Sequence, residues 1–107
     1  MSHLRIRIAE REELPWVNCC YDEVDFVHSK FDREAIAIAE WNEEKAGLGR
    51  LVTIDKEHAE LGGLYVFSSF RSRGISRELV IFLIKKAKLQ QKIFCIPLKH
   101  LTPFYKQ

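Results

Sequence analysis

Residues Leu61–Phe67 read as an apolar strand, and the chain runs from it through Ser68–Arg73 and Gly74 directly into the amphipathic stretch Ile75–Leu89. A strand that feeds a helix N-terminus through a glycine-containing loop leaves the first helical amides without partners and pointing outward. Such a junction suits an anion, and a phosphate fits it. Arg71, Arg73 and Arg77 add positive side chains to the peptide dipoles. The pattern is not a Walker loop, because no Gly-Lys-Ser/Thr follows, and it lacks the three-glycine spacing of a dinucleotide fingerprint. Taken alone, the loop reads equally as a solvated basic turn.

The rest of the chain supplies the elements around this junction. Leu4–Ala9 alternates apolar and basic residues with the period of a half-buried strand. Glu10 to Val24 carries Leu14, Val17 and Tyr21 at helical spacing, with Pro15 near the start where it is tolerated. Val27–Asp32, with Ser29 and Asp32, reads as a loop or a single helical turn. Ala35–Trp41 alternates small with β-branched residues, and Leu48–Ile54 places Leu48, Val52 and Ile54 on one side. The polar segment Asn42–Gly47 between them predicts a hairpin turn, and Asp55–His58 a second turn. Gly62 and Gly63 inside the third of these strands mark a bulge or a close backbone approach. In the helix from Ile75, the residues Ile75, Leu79, Phe82, Leu83 and Ala87 recur three and four apart. Lys92–Ile96 is a short strand stopped by Pro97, and Thr102-Pro103 caps and opens a last helix. The expected order is β-α-β-β-β-α-β-α, an α/β (α+β) fold with a mixed, mostly antiparallel sheet flanked by helices.

At 107 residues, 47% of them hydrophobic, the chain forms one domain, residues 1–107, with a core of its own. A net charge of +2 built from interspersed acids and bases gives no case for duplex nucleic acid or an anionic membrane as partner. No apolar run approaches the roughly 20 residues of a membrane span, and no signal pattern opens the chain, so a cytoplasmic protein is expected. Cys19, Cys20 and Cys95 make an odd set without metal spacing, read as three reduced thiols. His3, His28, His58 and His100 are scattered, so no metal is expected. Trp16 and Trp41 read as packing residues before cleft walls.

The run from Leu64 to Leu79, with Arg71-x-x-Gly74-x-Ser76 at its centre, resembles motif A of the GNAT N-acetyltransferase superfamily, whose signature is Gln/Arg-x-x-Gly-x-Gly/Ala. Ser76 departs from Gly/Ala but is small. The element order agrees with that family, and Pro103-Phe104-Tyr105-Lys106 resembles its motif B. The sequence stops at Gln107, before the family's Gly-Phe and last two strands, so the resemblance implies a domain truncated at its C-terminus.

The resemblance implies acetyl-CoA as co-substrate and a small amine as acceptor. The diphosphate would lie on Arg71, Ser72, Arg73, Gly74, Ile75 and Ser76, and the pantetheine arm along Tyr65, Val66 and Phe67, as an added strand. An amide near Val66 would face the thioester oxygen. Direct attack by the amine needs a proton acceptor: Glu60 is the candidate, with Glu40 and His58 behind it. Tyr105 is the candidate donor to the departing thiolate. The amine pocket would draw on the Val24–Arg33 loop and on residues beyond Gln107. The missing strands would bare one edge of Lys92–Ile96, which predicts a homodimer that covers it. The alternative is a non-catalytic CoA-binding or interaction module.

Overall fold

The computed structural model describes residues 3–87 and 92–95. Its elements are β1 (Leu4–Ile8), α1 (Leu14–Glu23), β2 (Glu34–Trp41), β3 (Glu44–Thr53), β4 (His58–Val66), α2 (Ile75–Ile84) and β5 (Lys92–Cys95). One sheet joins the strands in the order β1-β2-β3-β4-β5, antiparallel throughout except for the parallel β4–β5 pair. That exception follows from connectivity, since α2 is the crossover that returns the chain for a parallel pairing. The expected mixed sheet flanked by helices is the fold observed. The helix expected from Thr102-Pro103 lies outside the described residues.

Both faces of the sheet are covered, and the alternation in β2 is what sorts them. Ala37 and Ala39 are buried with Leu51, Leu61, Leu64 and Val66 under Ile75, Leu79 and Leu83 of α2. Ile36 and Ile38 point the other way, into a second core with Leu48 and with Val17, Cys20 and Tyr21 of α1. Small side chains on one face let α2 lie close, while β-branched ones fill the space below α1.

Element ends differ from the sequence reading for identifiable reasons. The helix expected from Glu10 begins as a 3-10 turn, Arg11–Glu13, and becomes α-helical only at Leu14. Pro15 has no N–H to bond four residues back, so the entry closes with tighter bonds and a reciprocal Glu10/Glu13 cap. Helix α2 stops at Ile84 rather than Leu89. Its stripe is spent at Leu83; Ile84 is 45% exposed, and Lys86 and Ala87 bond back three residues instead of four. Strand β4 starts at His58 rather than Leu61, because Asp55 takes over the turn by accepting from the Glu57 amide at 2.8 Å and from His58 Nδ1 at 2.9 Å.

The hairpin between β2 and β3 is tighter than the segment Asn42–Gly47. Trp41 pairs with Glu44, and only Asn42 and Glu43 turn, at φ 50° and 73°. Both central residues are left-handed, as a type I′ turn demands, and glutamate at the second place costs backbone strain. Glu43→Gly is expected to raise stability by about 1 kcal/mol in a urea melt, with the slope unchanged.

Candidate active site

The expected bulge in β4 sits at the glycine pair. Leu48 pairs with Tyr65 and Arg50 with Gly62, so β4 has one residue more than β3 across this stretch. Gly63 takes φ +61°, and a Cβ there would stand 2.5 Å from Tyr21 Oη and 2.9 Å from Arg50 Nε. The Tyr21 hydroxyl instead donates to Gly63 O at 2.8 Å, which ties α1 to the bulge inside the core.

Beyond the bulge the ladder sets the direction of each amide. Gly47 faces Val66, and the Phe67 amide donates to Ala46 O at 2.9 Å. That combination is the non-hydrogen-bonded antiparallel pair, so the amide and carbonyl of Val66 itself point away from β3. Strand β5 is registered only against His58–Leu61, and no described residue of β5 pairs with Gly62–Val66. Among the described residues, the main-chain donors and acceptors on this side of Gly62–Val66 have no partner strand, and such an edge suits an extended, amide-bearing ligand.

At the end of that edge lies the glycine loop. Ser72 and Gly74 both adopt left-handed backbone, at φ 65° and 74°. The Glu78 amide is the first to join the helical ladder, donating to Gly74 O at 3.1 Å, and α2 has no side-chain cap. The amides of Ile75, Ser76 and Arg77 thus stand ahead of the ladder. Around them Val66, Arg71, Ser72, Gly74, Ile75, Ser76 and Arg77 line a cavity of about 240 Å³. No acid occurs between Phe67 and Arg77, so the hollow is positive.

Of the residues assigned to cofactor binding, Val66, Arg71, Ser72, Gly74, Ile75 and Ser76 share this hollow. Arg71 reaches back, its Nε donating to Val66 O at 3.3 Å. Arg73 turns away and stacks on Trp41, 4.8 Å from the ring centroid. Tyr65 and Phe67 project toward α1, edge to face at 5.1 Å, and the Tyr65 hydroxyl donates to Glu23 Oε2 at 3.0 Å. Partial burial, with the Glu23 bond second, raises the Tyr65 pKa above the usual phenol value.

The base candidates separate clearly. Glu40 accepts from Arg7 Nε at 3.3 Å, within a cluster where Arg7 also holds Glu13 at 2.7 Å. The Arg7 hydrogen bond lowers the Glu13 pKa to about 2, against an opposing burial cost. His58 is engaged with Asp55. Glu60 instead lines a second cavity of about 440 Å³, with Asp25, Val27, Lys30, Glu34, Arg50, Val52 and Gly62 among its other walls. The loop between α1 and β2 forms one side of it. Tyr105 lies outside the described residues.

Glu34 and Arg50 belong to this cavity and were not among the residues singled out from sequence. Their signal was present: Leu48, Arg50 and Val52 share a face of β3, and a guanidinium interrupts its apolar pattern. Trp16 and Trp41 pack, the first edge to face with Phe67 at 6.1 Å. Cys19 is exposed and Cys20 buried, both free, and burial pushes the Cys20 thiol up to about 11, where it is inert. Among the described residues, no group of His, Cys, Asp and Glu could hold a metal, and no helix is long and apolar enough to cross a membrane.

The fold recurs in solved proteins. N-acetylglutamate synthase from Neisseria gonorrhoeae, complexed with coenzyme A and L-arginine, aligns at TM-score 0.76 and 16% identity, over 99% of this chain and 27% of that one. A predicted acetyltransferase from Clostridium acetobutylicum with acetyl-CoA aligns at 0.73 and 17%, over 96% and 86%. Arabidopsis thaliana NAA60, in complex with a bisubstrate analogue, aligns at 0.73 and 13%, over 96% and 79%. This chain thus spans about a quarter of the gonococcal synthase and most of the other two. No curated protein matches. The sequence model of the Acetyltransferase (GNAT) family matches residues 5–107. With that match running through nearly the whole sequence, and with the bulged strand and glycine loop in place, the chain belongs to the GNAT acetyltransferase family.

Proposed function

We propose that this protein moves an acetyl group from acetyl-CoA to a primary amine of a small molecule or amino acid. The observation that carries the reading is the strand β4 itself. Two cavities lie along it, with Glu60 and Gly62 on the larger and Val66 on the smaller, and beyond Leu61 no described residue of β5 pairs with it. Gly62 and Val66 are four residues apart, roughly 13 Å of extended chain. An extended, amide-bearing arm lying along Tyr65, Val66 and Phe67 would run from a held diphosphate toward the larger cavity, with Gly62 on the acceptor side of the strand. The solved relatives carrying coenzyme A or acetyl-CoA support the choice of co-substrate.

The uncapped amides of Ile75, Ser76 and Arg77, together with Arg71 and the Arg77 side chain, fit a diphosphate. The co-substrate supplies an activated acetyl group. The chain's own residues hold it and manage protons. The Val66 amide, directed away from β3, stabilises charge on the carbonyl oxygen. Glu60 takes the proton that the amine loses as its nitrogen bonds to the acetyl carbon. When the carbon–sulfur bond breaks, Tyr105 donates a proton to the thiolate, since a phenol stays protonated at neutral pH. No acyl-enzyme is needed, which agrees with an inert Cys20.

Acetyl-CoA at about a hundred times its Kd is expected to stabilise the fold by about 2.7 kcal/mol, read as a rise of several degrees in Tm. Release of free CoA thiol on adding amines then reports turnover, and Glu60→Gln is expected to lower kcat/KM roughly 10²-fold or more. Stabilisation without thiol release for any amine would favour the non-catalytic CoA-binding alternative. No stabilisation would refute both.

The outer edge of β5 has no partner strand among the described residues, and it supports a homodimer that covers it. Light scattering at micromolar concentration is expected to give twice the chain mass; a monodisperse monomer would overturn this. The near-neutral charge supports a protein whose main partner is neither duplex nucleic acid nor an anionic membrane.

A further inference from the structure

The larger cavity has a charge arrangement that narrows the acceptor. Direct cross-strand pairing puts Glu34, Val52 and Glu60 in one row across β2, β3 and β4, and Ile36, Arg50 and Gly62 in the next. Residues paired directly share a face, here the face that α1 covers over Ile36, Ile38 and Leu48. Helix α1 ends at Glu23, and the loop that follows closes over the remaining end of that face. Two carboxylates flanking a valine, with a guanidinium one row along, therefore line a half-open cavity.

Arg50 is held in place before any ligand arrives. Its Nη1 donates to Val27 O at 2.9 Å and to Ser29 Oγ at 2.6 Å, and its guanidinium carbon lies 4.5 Å from the Tyr21 ring centroid. Ser29 is in turn fixed to α1, its amide donating to Asn18 Oδ1 at 2.6 Å. Both bonds from Arg50 use one nitrogen, so Nη2 and Nε keep donors that no described residue takes. A planar, pre-oriented guanidinium suits a carboxylate.

Glu34 has the opposite need. Its Oε2 accepts from the Lys30 amide at 2.8 Å, while Oε1 is buried without a hydrogen-bond partner among the described residues. A buried carboxylate oxygen lacking a donor is costly, and an ammonium supplies one. The other charged groups on the cavity are Asp25 and Lys30, with His28, whose Nε2 is bonded to Asp22 Oδ1 at 2.6 Å. Arg50 and Glu60 are diagonal neighbours, roughly 7–8 Å apart at the backbone, which fits the spacing of amine and carboxylate on one small molecule between their side chains.

We propose that this cavity takes an acceptor bearing a carboxylate beside its amine, that is, an amino acid, with Arg50 receiving the carboxylate and Glu34 and Glu60 the ammonium. The assignment rests on the acetyltransferase reading and adds Arg50 as the residue that sets acceptor specificity. A bare amine would leave Arg50 unanswered, and a bare carboxylic acid would meet two like charges.

The test compares the proteinogenic L-amino acids with their primary amides, which keep the amine and lose the anionic carboxylate. Thiol release and thermal stabilisation are read on protein saturated with acetyl-CoA. At least one amino acid is expected to exceed its amide by tenfold or more in kcat/KM, and Arg50→Gln to erase that ratio, lowering turnover of the acid while sparing the amide. Arg50→Lys should restore part of it. Because Arg50 also pins Val27 and Ser29, Gly62→Leu gives a second measurement. A Cβ at Gly62 meets nothing within 4 Å, so a leucine there fills the cavity. It should abolish stabilisation by every acceptor and leave stabilisation by acetyl-CoA intact. Amides equal to or better than the acids, an equal effect of Arg50→Gln on both, or no response to any acceptor while acetyl-CoA binds would each overturn the proposal. Absence of acetyl-CoA binding would overturn the acetyltransferase reading instead.

Discussion

Ser76→Glu is expected to weaken acetyl-CoA binding roughly a hundredfold while leaving the Tm of the free protein nearly unchanged. The two effects part because one charge meets two different neighbours. Without ligand, a carboxylate in the first turn of α2 is mildly favourable to the helix, by about 0.3–1 kcal/mol. With ligand, the same carboxylate faces the diphosphate across the hollow formed by Arg71, Ser72, Gly74 and Arg77. Two like charges about 4 Å apart repel by about 4 kcal/mol at the effective dielectric of a protein surface, and solvent reduces that to about 2–3 kcal/mol. Calorimetric titration with acetyl-CoA and a thermal melt of the free protein read the two numbers separately. Affinity retained within a factor of a few would show that the diphosphate does not sit on this helix end.

Gly63→Ala is expected to destabilise the fold by about 3–5 kcal/mol. The left-handed backbone at φ +61° accounts for about 1–2 kcal/mol of it. The rest comes from the neighbours. The new methyl would lie 2.5 Å from Tyr21 Oη and 2.9 Å from Arg50 Nε, so the buried bond from Tyr21 to Gly63 O has to break. An unpaired buried carbonyl adds about 1–3 kcal/mol. Chemical denaturation measures the total, and Tyr21→Phe isolates the hydrogen bond without the strain. If Gly63→Ala cost under about 1 kcal/mol, the bulge would be able to relax and would not fix the strand. Because Arg50 moves as well, the variant should also weaken acceptor binding.

Much of this fold was legible in the order of residues because the signals were local. Alternation of small with β-branched residues in Ala35–Trp41 gave a strand, and the structure buries its alanines under α2 and its isoleucines under α1. Gly62-Gly63 announced the bulge, since only a break in the ladder rewards two glycines inside an apolar strand. The junction at Gly74 announced free amides for the same kind of reason. Boundaries were less legible. The end of α2 depends on where burial runs out, and the tight turn at Asn42-Glu43 rests on two residues that tolerate left-handed backbone because the strands beyond them pair.

The chain's own order of residues settled which segments become strand or helix and where an anion could rest, because hydrophobic period and glycine placement act within a few residues. Tertiary structure alone decided which charges meet. Glu34, Arg50 and Glu60 lie on three different strands, and only cross-strand register puts them around one cavity. Glu40 is bonded by Arg7, a diagonal neighbour on the adjacent strand, whereas His58 is bonded to Asp55 within its own turn. Periodicity fixes a side chain's face, whereas the neighbours it finds on that face are set by parts of the sequence far away.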